Sequence, residues 1–340
     1  MVSIKDIAQM CHVSPATVSK ALNDHSDISE KTKKRIQAVA KEIVYMPNSA
    51  ARALKTQRTH NIGVLFVDAA NSGLTHHYFA HVLESFKVKA EMEGYDITFI
   101  NNRRQDSNMT YYEHCLYRGV DGVVIACVDF EETQVRELIN SALPVVTIDH
   151  TFNNCSAVVS DNITGMKDIV NYVVDKGHKR IAFIHGENES SVTKERLSSF
   201  YRTLLERSIV IPENYVREGK YLDSESASMH TKELLRLAEP PTCIIYQDDL
   251  SCIGGINRIR KDGLEIPRDV SVVGYDGQQI AEIIRPRLTT LHQDTKVLGE
   301  KAAELLVNQI ENPRSTIVQR IVVKGSLIEG QTVNHIKNAT

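Results

Sequence analysis

Between residues 62 and 328, short apolar runs alternate with helix-patterned stretches, and the series runs through twice. The first run, Ile62-Gly63-Val64-Leu65-Phe66-Val67, is apolar at consecutive positions rather than at every second one. A strand of that kind is buried on both faces, so it belongs in a parallel sheet with helices on each side. A helical stretch over about 78–93 follows, then strand candidates at 95–100, 122–126, 145–148 and 157–159. The series restarts with a helix over 164–176, a strand at 181–184, a helix over 194–206, a strand at 243–246, a helix over 250–261 and a strand at 270–274. A helix over 295–309 and strands near 317–323 and 326–328 complete it. The expected class is α/β, with a doubly wound body over 61–330. One lobe is expected at about 61–160 with 292–323, a second at about 161–291 with 324–330, and residues 331–340 as a tail. In such sheets a ligand lies beyond the carboxyl ends of the strands, here in a cleft between the lobes.

The chain has 340 residues, enough for two or three domains, and its start follows another pattern. Ile4, Ile7, Ala8 and Cys11 recur at helical spacing, a break falls at His12-Val13, and Ser14-Pro15 has the form of a cap and first position of a second helix. That helix buries Val18, Ala21 and Leu22. Ala16, Thr17, Ser19, Lys20 and Asn23 are left for another surface, and their small or hydrogen-bonding side chains suit base edges in a major groove. Ser29 is expected to cap a third helix, Glu30 to about Ile43, with Ile36, Val39, Ala40 and Ile43 as its buried stripe. Residues 1–46 thus read as a helix-turn-helix headpiece.

Net charge is −3 overall, yet residues 1–60 hold ten Lys and Arg against five Asp and Glu. A basic module on an acidic body is what phosphate binding requires, with Lys20, Lys31, Lys33, Lys34 and Arg35 as candidate phosphate contacts. The segment 47–60 has alanines, an arginine and a leucine but too little apolar face to pack alone, and reads as a hinge.

Val13-Ser14 with Ala16-Thr17-Val18-Ser19, then Tyr45-x-Pro47-Asn48 and Ala51-Arg52-x-Leu54, resembles the headpiece and hinge of the lactose-repressor/galactose-repressor family of bacterial transcription regulators. The resemblance continues through Arg196-Leu197-Ser198-Ser199-Phe200, Asp248-Asp249 to Gly254, Val272-Val273-Gly274-Tyr275-Asp276 and Pro286-x-Leu288-Thr289-Thr290. Two departures stand out. His12 occupies a turn position where the family usually has glycine, which suggests positive φ. Asp248 replaces an asparagine. The resemblance implies a body like a periplasmic sugar-binding protein and a dimer on pseudo-palindromic operator DNA. It implies a hinge that folds on DNA, with Leu54 wedged in the minor groove and Asn48, Ala51, Arg52 and Lys55 beside it. The alternative is that Leu54 packs against the body.

Polar residues cluster after the expected strand ends: Asp68, Asn71 and Ser72, Asp149, Asp161-Asn162, Asp248-Asp249 and Asp276. Several carboxylates with the single Arg196 suit a neutral polyol, since acids accept from vicinal hydroxyls and the guanidinium donates in a fixed fork. Phe79, Tyr246 and Tyr275 are candidates for apolar faces. By the resemblance, Asp149, Arg196, Asp248 and Asp276 contact a sugar-like effector. Asp249 could instead cap a helix, and Asp161 could serve the hinge between lobes.

His77 and His81 are spaced i,i+4, with His76 adjacent, but no third ligand lies nearby in sequence, so no metal is expected. The six cysteines are scattered and read as reduced thiols. No dinucleotide fingerprint, phosphate loop or serine nucleophile elbow is present, so neither an enzyme nor a cofactor is expected. There is no apolar run of eighteen residues and no leader pattern at the start, so the expected location is the cytoplasm, without membrane contact. The tail lacks leucine heptads, which leaves a homodimer rather than a larger assembly. A two-lobed transport receptor is the alternative, and the basic first 60 residues argue against it.

Overall fold

The computed structural model describes residues 3–46, 53, 58–67, 73–101 and 109–336. It divides into two compact units, 1–59 and 60–340. In the first, three helices follow one another: α1 (Ile4–Met10), α2 (Pro15–Leu22) and α3 (Glu30–Glu42). Each begins on a serine, Ser3, Ser14 or Ser29, whose hydroxyl accepts an orphan amide of the first turn. The tight turn after α1 is made by His12 at φ 48°, the conformation its place in the motif suggested. Ile7, Ala8, Cys11, Val18, Ala21, Ile36 and Ala40 form the core, with Leu22, Val39, Ile43 and Tyr45 packed at its edge. So small a core leaves little reserve, and emptying the Ile36 position to alanine costs about 3 kcal/mol.

Of the hinge expected at 47–60, Asn48, Ala51, Arg52, Leu54 and Lys55 lie outside the described residues, as do Asp68 and Asn71 of the expected cleft.

The second unit contains two six-stranded sheets of the same winding. One holds β1 (Asn61–Phe66), β2 (Asp96–Ile100), β3 (Gly122–Ala126), β4 (Val145–Ile148), β5 (Ser156–Ser160) and β11 (Arg320–Val323), in the order β2-β1-β3-β4-β5-β11 and all parallel. The other holds β6 (Ile181–His185), β7 (Val216–Glu218), β8 (Cys243–Tyr246), β9 (Ser271–Asp276), β10 (Thr289–His292) and β12 (Ser326–Ile328). Its order is β7-β6-β8-β9-β10-β12, with only β12 antiparallel.

Helices cover both faces of each sheet, as continuously apolar strands demand. In lobe 1, α4 (His77–Met92) and α12 (Thr295–Glu311) close one core, while α5 (Tyr111–Arg118) and α6 (Thr133–Ile139) close the other. In lobe 2, α7 (Asn162–Asp175) and α8 (Ser191–Glu206) lie opposite α9 (Ser224–Leu235) and α10 (Asp249–Lys261), with the short α11 (Gln279–Ile283) beside them. Two glycines permit backbone contact between these helices. A Cβ on Gly299 would sit 2.2 Å from the Val82 carbonyl oxygen, and one on Gly254 would sit 1.9 Å from that of Ser224.

The chain passes between lobes three times, after β5, after β10 and between β11 and β12. The first and third passages are tied together, Asp161 N donating to Val323 O at 2.8 Å. Residues 331–336 are not a separate tail. Fully buried Thr332 donates to Val272 O and accepts from Thr289 N, and Ile336 N donates to Lys176 O, so the segment is part of lobe 2.

Candidate functional site

On the headpiece, α2 carries the residues expected to face DNA. Ala16, Lys20 and Asn23 are exposed, while Thr17 and Ser19 are half-buried. Ser14 Oγ accepts Thr17 N at 3.1 Å and lies 2.9 Å from Thr17 Oγ1, so both hydroxyls serve the cap. Asn23 Nδ2 donates to Ser19 O at 2.7 Å, and Lys20 is paired with Asp27. Lys31, Lys34 and Arg35 are exposed, and Arg35 braces the turn by donating to Cys11 O at 3.2 Å. Lys33 is a correction. It is buried, with its ammonium on Asp24 (2.6 Å) and Glu30 (3.0 Å), so it struts the α2–α3 loop and has no reach to phosphate.

In the body, the strand ends that face the cleft bring several polar groups together. On the lobe 1 side Asp149 follows β4 at φ 56°. Its Oδ1 accepts Ser160 N at 2.9 Å and its Oδ2 accepts the hydroxyl of buried Tyr78 at 2.8 Å. Phe79 stands beside them, half-buried against Phe66, His76 and Tyr78. His76 is spoken for, since it is the cap of α4 and accepts Phe79 N; His77 and His81 are exposed.

On the lobe 2 side Arg196 projects from α8 and is almost fully buried. Its Nε donates to Asn162 Oδ1 at 2.9 Å, its Nη1 to Gln247 O at 3.0 Å, and its guanidinium lies 3.5 Å above the ring of Tyr275. Burial acts to lower its pKa, but the oxygens of Tyr275, Tyr221 and Asp276 outweigh this and raise it above the usual arginine value. Asp276 sits at the end of β9 at φ 101°, with Oδ1 accepting Gln293 Nε2 (2.7 Å) and Oδ2 accepting Gln278 Nε2 (3.2 Å). Burial is the main influence on its carboxyl. Arg196 pulls the other way, Asp248 adds to the rise, and the result is a pKa pushed up to about 7. Among the described residues no carboxylate forms an ion pair with Arg196, and no cation forms one with Asp276.

Three buried polar atoms around this pair, Gln247 Oε1, Tyr275 Oη and Gln293 Oε1, find no hydrogen-bond partner among the described residues. Unmet buried polar atoms are costly, so a concentration of them in a cleft marks where a polar molecule would be accommodated.

Two further residues differ from expectation. Tyr246 is fully buried in the lobe 2 core with its hydroxyl 2.7 Å from Thr231 Oγ1, so it has no face to offer the cleft. Asp248, rather than Asp249, caps α10. Its carboxylate accepts Ser251 N, Ser251 Oγ and Leu222 N, so most of its accepting capacity is spent inside lobe 2. Asp249 instead braces the turn that carries Asp276, accepting Gln278 N at 2.7 Å and the Thr290 hydroxyl at 2.6 Å. Asp161 is the cap of α7.

The cleft residues that sequence reasoning missed are Tyr78, Tyr221, Gln247, Gln278 and Gln293. Gln247 and Gln293 follow strand ends just as the chosen aspartates do. Looking for amides as well as acids at those positions would have found them.

Residues 170–333 match the periplasmic binding protein-like domain, and residues 3–48 match the bacterial regulatory proteins of the lacI family. Over 340 residues the chain is 30% identical to the HTH-type transcriptional repressor PurR of Escherichia fergusonii, an alignment covering 98% of this chain and 97% of that protein. The chain belongs to the lacI family of bacterial regulatory proteins. As a lacI-family protein it is a DNA-binding transcription regulator and not an enzyme. Its fold matches that of the Lac repressor dimer bound to operator and the anti-inducer ONPF, with a TM-score of 0.82 at 24% identity over 98% of this chain and 99% of that one. A lacI-family regulator from Enterococcus faecium with bound ribose gives a TM-score of 0.70 at 24% identity, covering 82% of this chain and 100% of that one. No helix among the described residues is long and apolar enough to cross a membrane.

Proposed function

We propose that this lacI-family protein is a cytoplasmic, homodimeric repressor whose grip on a pseudo-palindromic operator is set by a neutral, sugar-like effector in the interlobe cleft. The observation that carries the effector class is the unpaired couple of Arg196 and Asp276, with the spare oxygens of Gln247, Tyr275 and Gln293 around it. A molecule with adjacent hydroxyls can donate to the carboxylate and the amide oxygens while accepting from the guanidinium. An anion would meet Asp149, Asp248 and Asp276 with one guanidinium to offset them. The ribose bound to the Enterococcus regulator and the cellobiose of the regulator CelR, 24% identical to this chain with a TM-score of 0.72, are ligands of this kind. Asp149, Phe79, Arg196 and Asp276 are assigned to the effector, with Asp68 and Asn71, which follow β1 in sequence. Asp248 is left out of the direct contacts, because its carboxylate is spent on Ser251 and Leu222.

On the DNA side Ala16, Thr17, Ser19, Lys20 and Asn23 read bases and Ser14 sets the helix start. Asn48, Ala51, Arg52, Leu54 and Lys55 act as the minor-groove hinge. Effector binding shifts the lobes between two arrangements and thereby alters whether two hinges can fold together on DNA, by no more than its differential affinity for the two states.

A thermal-shift screen of neutral sugars against their phosphates tests the effector class, because a ligand of the native state raises the melting temperature. Neutral sugars are expected among the stabilisers. Stabilisation confined to phosphorylated compounds would refute the assignment.

A further inference from the structure

Three neighbouring strands of lobe 2, β7, β6 and β8, end side by side at the cleft, and the residues just past those ends lock onto one another. After β7 the chain turns through Gly219, Lys220, Tyr221 and Leu222 towards α9. Tyr221 is the cleft residue of this turn. Its ring lies on Gly186, just after β6, so closely that a Cβ there would sit 2.0 Å from Tyr221 Cε2. Its hydroxyl lies 3.0 Å from Thr193 Oγ1 on α8.

The seat of Tyr221 carries a backbone cost. Leu222 stands at φ 58°, a left-handed conformation that a residue with a Cβ disfavours. Strain of this kind persists where the surroundings over-determine it, and here the two residues after β8 do so. Gln247 Nε2 donates to Lys220 O at 2.8 Å, and Leu222 N donates to Asp248 Oδ2 at 2.9 Å. Asp248 is almost fully buried, and its two oxygens have separate tasks. Oδ1 accepts Ser251 N at 2.7 Å as the cap of α10, while Oδ2 accepts Leu222 N and, at 2.8 Å, the Ser251 hydroxyl.

An asparagine in the same place cannot do both. With its oxygen on Ser251 N it keeps the cap, but its amide group then turns an N–H towards the N–H of Leu222; flipped, it bonds Leu222 and loses the cap. A carboxylate has an acceptor on each side. The aspartate that departs from the family pattern at this position is therefore the residue able to hold the helix and the turn at once.

We propose that Asp248 is a positioning residue of the effector site: its second oxygen pins Leu222 in the left-handed conformation and so seats Tyr221 on Gly186 in the cleft wall. An effector meets a fixed phenol there, and Asp248 sets the affinity without touching the ligand. The inference rests on the cleft being the effector site, but its test needs no effector.

The test reads Tyr221 in the full chain without added ligand, with the twelve tyrosines replaced by 3-fluorotyrosine. The 19F line of Tyr221 is the one lost in Tyr221→Phe, and a dissolved gadolinium chelate broadens it according to its exposure. Asp248→Asn, which keeps the cap, orphans the Leu222 N–H and is expected to raise the population with the ring unseated by roughly tenfold, with stronger broadening as the readout. Ser251→Ala removes a bond from the same Oδ2 but leaves that of Leu222, so the Tyr221 line is expected to keep its wild-type broadening whatever the cost in stability. That contrast separates positioning from general support of the fold. Equal broadening in Asp248→Asn and the wild type, or broadening in Ser251→Ala as large as in Asp248→Asn, would overturn the proposal.

Should Asp248→Asn fail to fold, hydrogen exchange of the wild type decides, read at single residues by mass spectrometry with electron-transfer fragmentation. The Leu222 amide is expected to exchange at least roughly tenfold more slowly than an unbonded amide in the same sequence. Exchange at the unbonded rate sinks the proposal. Either failure leaves Arg196 and Asp276 assigned to the effector, and a failed sugar screen leaves the result for the turn untouched.

Discussion

Asp276 occupies a strained backbone position, φ 101°, with its turn braced by Asp249 and Thr290, and its carboxyl is pushed up to about 7 chiefly by burial. For an acid raised in the folded state, the unfolded chain loses its proton first. Stability therefore falls as pH rises from the ordinary aspartate range to about 7, and the loss is constant above that. The full shift would correspond to about 4 kcal/mol; allowing for the partial opening of the residue to solvent, roughly 2 kcal/mol is expected. Asp276→Asn should therefore gain on the wild type in thermal denaturation as pH rises from 5 to 7 while losing its response to effector; an unchanged gap across that range would place the carboxyl in water. Arg196→Ala should lose the effector response by at least about tenfold in affinity, since truncation leaves Asn162 Oδ1 without its donor as well as removing the fork. Its basal DNA binding should persist, as gel shifts would show. At this scale the sequence marked Arg196, Asp149 and Asp276 as polar groups at element ends but did not show their partners. Tyr246 was misjudged because a strand buried on both faces has no cleft-facing side, and Lys33 because a charge run does not show which lysine folds inward onto Asp24 and Glu30.

The elements were legible to within a few residues wherever composition fixed them locally. The serine caps, Pro15 at the start of α2 and the continuous apolar strands each carry their own physical cause. What could not be read included α5, α6, α9 and β7, none of which the sequence pattern places, and the closing segment. Residues 331–336 have no periodicity of their own, and they belong to lobe 2 through a few hydrogen bonds made by Thr332, Asn334 and Ile336. Thr332→Val keeps the volume but leaves Val272 O and Thr289 N unpaired in the interior, so roughly 2 kcal/mol of stability should be lost. A urea titration reports this as a lower midpoint, and an unchanged midpoint would make the segment dispensable. For the hinge, Leu54→Ala is expected to weaken specific DNA binding and reduce operator bending while leaving effector affinity intact. Bending equal to that of the wild type would remove the wedge.

Across the whole molecule charge is unevenly divided, with a basic first sixty residues and an acidic remainder in a chain whose net charge is only −3. Such a division makes DNA binding sensitive to salt, so affinities are comparable only at one ionic strength. It also means that the decision to bind has to be carried mechanically, from a cleft whose walls belong to different lobes to a headpiece that is a separate unit of the chain. The three passages between lobes, two of them bonded through Asp161 and Val323, are the points about which one lobe would have to turn against the other under the proposed mechanism. The most direct measurement is the affinity of the full chain for a duplex selected from a random pool, at fixed salt, with and without a stabilising sugar from the thermal screen. A change of roughly five- to hundredfold is expected for the wild type and none for Arg196→Ala. Equal wild-type affinity with and without the sugar, or no preference for any duplex over random sequence, would contradict the account.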